Sequence, residues 1–131
     1  MLIDIEDWVI KYSFLFFTFI STSMGVISLE DLKKIDLRVG KIIEVEEHPN
    51  ADKLYVLKVD LGNEIRTIVA GLKPYYSKEE LKGKYVVIVA NLEPKKLRGI
   101  ESQGMLLAAD DGKTVAILTV DRPVKPGAKI Y

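Results

Sequence analysis

Between Asn91 and Ala109 the chain reads Asn-Leu-Glu-Pro-Lys-Lys-Leu-Arg-Gly-Ile-Glu-Ser-Gln-Gly-Met-Leu-Leu-Ala-Ala. Lys95, Lys96 and Arg98 stand close together there, and Ser102, Gln103 and Met105 follow before an apolar run. Ammonium and guanidinium groups on a short loop neutralise phosphates without reading sequence. A hydroxyl, an amide and a polarisable thioether add contacts to exposed bases or ribose. That chemistry is binding, not bond making. The chain has no cysteine, which excludes disulfides, thiolate zinc sites and cysteine nucleophiles. Its one histidine, His48, precedes Pro49 in a turn-forming stretch and has no second His or Cys at ligand spacing. Asp110-Asp111-Gly112 reads as a hairpin turn instead of a metal-binding carboxylate pair. No nucleophile with a base, no phosphate-cradling glycine loop and no metal spacing occurs, so the sequence predicts no catalytic residue, no metal and no cofactor.

Charge and hydropathy set the wider frame. Nineteen basic and nineteen acidic residues cancel over the 131-residue chain, so net charge alone does not point to a polyanion. Their distribution does: residues 1–36 carry three basic and six acidic side chains, residues 37–131 sixteen and thirteen, giving −3 and +3. With 48% hydrophobic residues the length suits one domain with its own core plus an appendage. The apolar run Trp8 to Ile20 is interrupted by Lys11, Ser13 and Thr18, is shorter than the ~18–20 residues of a membrane span, and follows acidic residues where a signal peptide would be cationic. Ile5, Trp8, Val9, Tyr12, Leu15, Phe16 and Phe19 recur at helical spacing, which predicts an amphipathic or buried helix in need of a partner surface. A cytoplasmic protein without a membrane anchor is the expectation. Ile3-Asp4-Ile5-Glu6-Asp7 echoes Ile27-Ser28-Leu29-Glu30-Asp31, and Met24 could itself begin a chain, so residues 1–23 read either as an extension or as a chance echo.

The elements that must position the basic loop can be read in order. Ser28-Leu-Glu-Asp31 has the form of a capping box and predicts a short helix from Leu29 to about Lys34. From Asp36 the period becomes alternating, with Leu37, Val39, Lys41, Ile43 and Val45 expected on one strand face and a bulge or bend at Gly40. His48-Pro-Asn-Ala-Asp52 makes a turn, Leu54 to Leu61 a second strand, and Gly62-Asn63 a tight hairpin into a third over Ile65 to Ala70. Ser77-Lys-Glu-Glu80 caps another short helix, and Tyr85 to Ala90 is a strand apolar on both faces. Met105 to Ala109 and Val115 to Val120 complete the series. Three strands, a helix and two strands is the order of a mainly β OB-fold, a five-stranded barrel whose rim loops bind oligonucleotides. Residues 1–35 form an expected N-terminal helical extension, residues 36–131 the barrel with C-terminal strand additions.

Several strings within that order, namely Asp36-Leu-Arg-Val-Gly-Lys-Ile, His48-Pro-Asn-Ala-Asp-Lys-Leu-Tyr, Val59-Asp, Gly71-Leu and the Asn91 to Leu107 stretch, resemble the tRNA-binding domain family. Members occur at the C-terminus of methionyl-tRNA synthetases, as freestanding proteins including a standalone synthetase beta subunit, and in synthetase-associated cytokine precursors. The resemblance implies a non-catalytic tRNA-binding protein that recognises the outer corner of tRNA with little discrimination among species. It implies a homodimer formed through elements flanking the barrel, and association with a methionyl-tRNA synthetase catalytic subunit. Ser102 and Met105 match the family's Ser-x-x-Met pattern and are carried over as RNA contacts with Asn91 beside them; Lys53, Lys95, Lys96, Arg98 and Gln103 complete the expected site. Ala70 departs from the serine many relatives carry before Gly-Leu, which removes one hydroxyl. The alternative is a dimeric OB-fold chaperone for unfolded or export-destined polypeptides.

Overall fold

The computed structural model describes residues 25–131, so the expected helix over Trp8 to Ile20 lies outside the described residues. Ser28 caps α1 (Leu29–Lys33) by accepting from the Asp31 N–H at 3.0 Å. The Asp31 carboxylate turns forward to Lys34 at 3.0 Å, so the capping box expected there is half made. The second short helix, α2 (Lys78–Leu81), has both halves of its box between Ser77 and Glu80.

Alternating apolar residues and tight turns give β1 (Leu37–Glu47), β2 (Tyr55–Asp60), β3 (Ile65–Ala70) and β4 (Tyr85–Val89). With β7 (Met105–Leu106) they form a five-stranded sheet in the order β3-β2-β1-β4-β7, all neighbours antiparallel. The long first strand serves both sides, pairing with β4 over Leu37–Lys41 and with β2 over Lys41–Glu47. The sheet curls into a nearly closed barrel of the OB type around Ile42, Leu57, Val59, Ile68, Val86, Ile88 and Leu106, with Leu72 and Leu81 of the α2 region closing one end.

The inner face of β1 corrects the expected alternation. Gly40 and Ile42 point into the barrel, and a bulge between Ile42 and Glu44 resets the phase so that Val45 joins the core and Ile43 faces out. Gly40 does not bulge. It is glycine because a Cβ there would lie 2.4 Å from Val59 Cγ1 and 3.2 Å from Leu61 Cδ2. Val39, on the outer face, is buried; residues 126–130 run along the free edge of β1, with Val39 N–H donating to Ala128 at 2.9 Å and Gly127 N–H to Val39 at 2.7 Å. The hairpin β8 (Ala108–Asp110) and β9 (Val115–Ile117) supplies the other C-terminal strands.

Candidate nucleic-acid interface

The stretch after Asn91, expected as a loop, contains a hairpin: β5 (Lys95–Leu97) pairs with β6 (Ile100–Ser102) across an Arg98-Gly99 turn. Both turn residues have positive φ, 51° at Arg98 and 93° at Gly99, as a two-residue turn matched to strand twist requires. A side chain in that region costs about 1–2 kcal/mol, so the surroundings must hold Arg98 there. The anchor is Leu97, which is 6% exposed and packs with Leu54 and Val69 in a small apolar cluster outside the barrel, flanked by Ala51, Val56 and Ile100. This cluster seats the hairpin on the outer face of β2 and β3, beside the loop 48–53 that carries Lys53.

His48 joins the same two segments. Its ring is 5% exposed; Nδ1 accepts from the Asn50 N–H at 2.9 Å, so the ring proton resides on Nε2, which donates to the Leu97 carbonyl at 2.9 Å. The His48 N–H donates to the Leu54 carbonyl at 3.2 Å and closes the loop at its base. Behind it Lys73 donates its N–H to Lys53 and holds Glu47 at 3.0 Å, and that hydrogen bond keeps the Glu47 carboxyl below its ordinary range.

The predicted site residues therefore divide. Lys53, Lys95, Lys96 and Arg98 are all exposed around the joined loop and hairpin. They do not share one face: Lys95 opposes Ser102 on the side of Leu97, whereas Lys96 opposes Glu101 on the other. Asp52, Glu93 and Glu101 are interleaved with them, so the local positive surplus is small.

The second group lies where the hairpin returns to the barrel. Ser102 is 2% exposed; its hydroxyl accepts from Val69 N–H at 3.0 Å and donates to the Gly104 carbonyl at 3.0 Å. One bond joins β6 to β3 and the other closes the turn at Gly104, so the hydroxyl is engaged in the frame at the base of the hairpin. Gln103 continues that seam: its N–H donates to Thr67 C=O at 2.8 Å and its Oε1 accepts from Thr67 N–H at 2.9 Å, while the residue remains exposed. Met105 is half-buried opposite Val89. Asn91 is exposed, and its amide bridges α1 to the barrel, Oδ1 accepting from Asp36 N–H at 2.9 Å and Nδ2 donating to the Lys34 carbonyl at 2.6 Å.

Arg66 belongs to the site although its place in the sequence does not announce it. It donates to the carbonyls of Ala90 and of Gln103, the latter at 3.3 Å, and pairs with Glu64 at 2.6 Å, so it ties both ends of the basic stretch to β3. Its role depends on the barrel end that β3 and β4 share, which no local spacing reveals. Arg38 sits at the same end, and its hydrogen bond to Asp36 at 2.8 Å is the main reason that carboxyl lies below its usual range, with the charges of Lys129 and Arg66 adding to it. Among the described residues no group of three His, Asp or Glu side chains is placed to hold a metal, and no helix is long and apolar enough to cross a membrane.

The chain matches the tRNA binding domain family over residues 37–129. It is 72% identical over 107 residues to the methionine--tRNA ligase of Pyrococcus furiosus, a match that covers 82% of this chain and 15% of the ligase. The chain thus spans about a seventh of the curated relatives it matches. Among solved structures it is similar to a MetRS-related protein from Pyrococcus horikoshii, with a TM-score of 0.78 and 38% identity over 82% of this chain and all of that one. It is also similar to the chaperone CsaA from Bacillus anthracis, with a TM-score of 0.76 and 27% identity over the same shares.

Proposed function

The chain belongs to the tRNA-binding domain family, and from that premise we infer that it is a non-catalytic tRNA-binding protein of the methionyl-tRNA synthetase beta-subunit type. The hairpin β5–β6 and the loop 48–53 grip the outer corner of folded tRNA, where loop bases are exposed. One observation carries this reading: the exposed cations are mounted on a rigid seat, Leu97 on Leu54 and Val69 with the His48 bond across, instead of on a free loop. Lys53, Lys95, Lys96 and Arg98 supply phosphate contacts, Gln103 and Met105 supply groups for base or ribose, and Asn91, Ser102 and Arg66 hold the frame. Four cations diluted by three neighbouring carboxylates favour modest, salt-sensitive affinity that tracks shape instead of sequence. The protein serves a synthetase catalytic subunit by raising local tRNA concentration, a linkage effect that needs no chemistry of its own.

A homodimer is part of this reading, and the exposed apolar residues in and beside α1 support it. Leu29 and Leu32 on the helix and Val26, Ile27 and Ile35 beside it are all exposed, an apolar surface that a second copy would cover. The likeness to CsaA favours a second reading, a chaperone that offers such a surface to unfolded polypeptide. Competition separates the two. Folded tRNA should displace labelled tRNA far better than a scrambled single strand of equal length, and unfolded polypeptide should not compete; equal competition by all three sinks corner recognition. A monomeric mass at micromolar concentration would rule out the dimer.

A further inference from the structure

The geometry points to His48 as a positioning residue for tRNA binding, one whose ring locks the cation-bearing hairpin to the cation-bearing loop. The proposal rests on the hairpin being the tRNA contact. His48 is the last residue before the loop and its backbone N–H closes that loop on Leu54. Its ring then uses every polar atom it has, Nδ1 on Asn50 within the loop and Nε2 on Leu97 in the hairpin, 49 positions away. The carbonyl it holds belongs to the residue just before Arg98, the one non-glycine residue with positive φ among the described residues. The bond therefore sets the plane of the peptide that aims the Arg98 turn. The Ser102 bond to Val69 ties the base of the hairpin to β3, but toward its turn Leu97 and Ile100 contribute area and no direction, since apolar contacts are non-directional and leave two three-residue strands able to rock on their seat. A ring buried between the two segments and bonded to both fixes their mutual orientation, and the lysines of both then meet the phosphates of one tRNA without reordering.

If the hairpin is competent for only part of the time, apparent affinity falls by that fraction. Without the Leu97 bond it should drop roughly three- to tenfold, the range set by one buried hydrogen bond. The test uses three substitutions in the full chain. Glutamine can present an amide N–H near the position of Nε2 and keep the Leu97 bond; asparagine can keep an acceptor near Nδ1 for Asn50 but reaches no further; alanine keeps neither. His48→Gln should bind tRNA close to the unsubstituted protein, whereas His48→Asn and His48→Ala should bind several-fold more weakly. In those two, amide exchange over residues 95–102 should accelerate while the barrel amides of Leu57, Ile68 and Ile88 keep their protection. Unchanged affinity in His48→Asn, or His48→Gln as weak as His48→Ala, overturns the proposal. So does acceleration spread through the barrel in all three variants, which would make His48 an ordinary core residue. A Lys95→Ala/Lys96→Ala variant run alongside separates the two levels. If it binds as tightly as the unsubstituted protein, the hairpin reading fails and His48 with it; if it is weak while His48→Asn is not, the hairpin stands and the lock alone falls.

Discussion

Truncating Leu97 to alanine separates the seat of the hairpin from the barrel. Leu97 is 6% exposed and packs with Leu54 and Val69 in a cluster distinct from the one that fills the barrel. The substitution removes three methylene equivalents, worth about 2.4 kcal/mol at ~0.8 kcal/mol each, and a residual cavity raises the cost toward ~4 kcal/mol. If the hairpin lifts toward its turn without opening the barrel, that cost falls on its docking, and about 2.5 kcal/mol shifts the docked-to-undocked ratio by a factor of roughly 60. Apparent affinity falls with the docked fraction, so the loss approaches that factor where docking is marginal in the unsubstituted protein and is smaller where it is firm. The control is Leu57→Ala, fully buried in the barrel, where a loss of ~2–5 kcal/mol is global. Calorimetry should show Tm falling by about 10–20 °C for Leu57→Ala and only a few degrees for Leu97→Ala. Filter binding with folded tRNA should show the reverse order of damage per folded molecule. Equal Tm losses, with Leu97→Ala binding as tightly as the unsubstituted protein, would refute the idea of a separately seated hairpin.

Three further outcomes are expected. Gly40→Ala should cost at least ~1–3 kcal/mol and lower Tm, because its Cβ would lie 2.4 Å from Val59 Cγ1; an unchanged Tm would mean the barrel yields more readily than its packing implies. Ser102→Ala should lower stability by about 1–3 kcal/mol through an unpaired Val69 N–H, measured by denaturant unfolding, and should leave tRNA affinity per folded molecule unchanged; a several-fold loss of affinity in the folded variant would make Ser102 a direct contact. The carboxyls of Asp36, Glu47, Glu64, Glu80 and Asp111 all lie below their ordinary values in the folded chain. Their contribution is complete above the unfolded range near pH ~4 and is lost as pH falls through the lower folded values, so Tm should be level near neutrality and decline in acid. A Tm that rises on acidification would contradict it.

Much of the barrel was legible because alternation and turn chemistry agree along β2, β3 and β4, and Ser77-Glu80 announces α2 without ambiguity. The inner face of β1 was not. Alternation counted from Leu37 runs through the Ile42/Glu44 bulge and puts Val39 inside and Gly40 outside, and a glycine packed against Val59 has no side chain to announce itself. The hairpin within the basic stretch was hidden because each strand has three residues and its turn begins with arginine instead of asparagine or glycine. Leu97 and Ile100, two apolar residues flanking Arg-Gly, were the available signal. The cluster of cations was legible by type and spacing. Which polar groups are bonded within the fold was not: Ser102 and Asn91 carry groups suited to RNA, but only the meeting of β6 with β3, and of α1 with β4, shows what those groups hold.

We infer that the cations seated on the hairpin and its neighbouring loop hold tRNA. The most direct test is the salt dependence of tRNA affinity with Lys95, Lys96 and Arg98 replaced together by alanine. Every phosphate that no longer meets a cation should reduce the slope of log K against log salt by about 0.9, so the variant should bind more weakly at low salt with a slope shallower by roughly two to three. A variant that folds, binds as tightly as the unsubstituted protein and keeps its slope would mean that these cations do not hold tRNA.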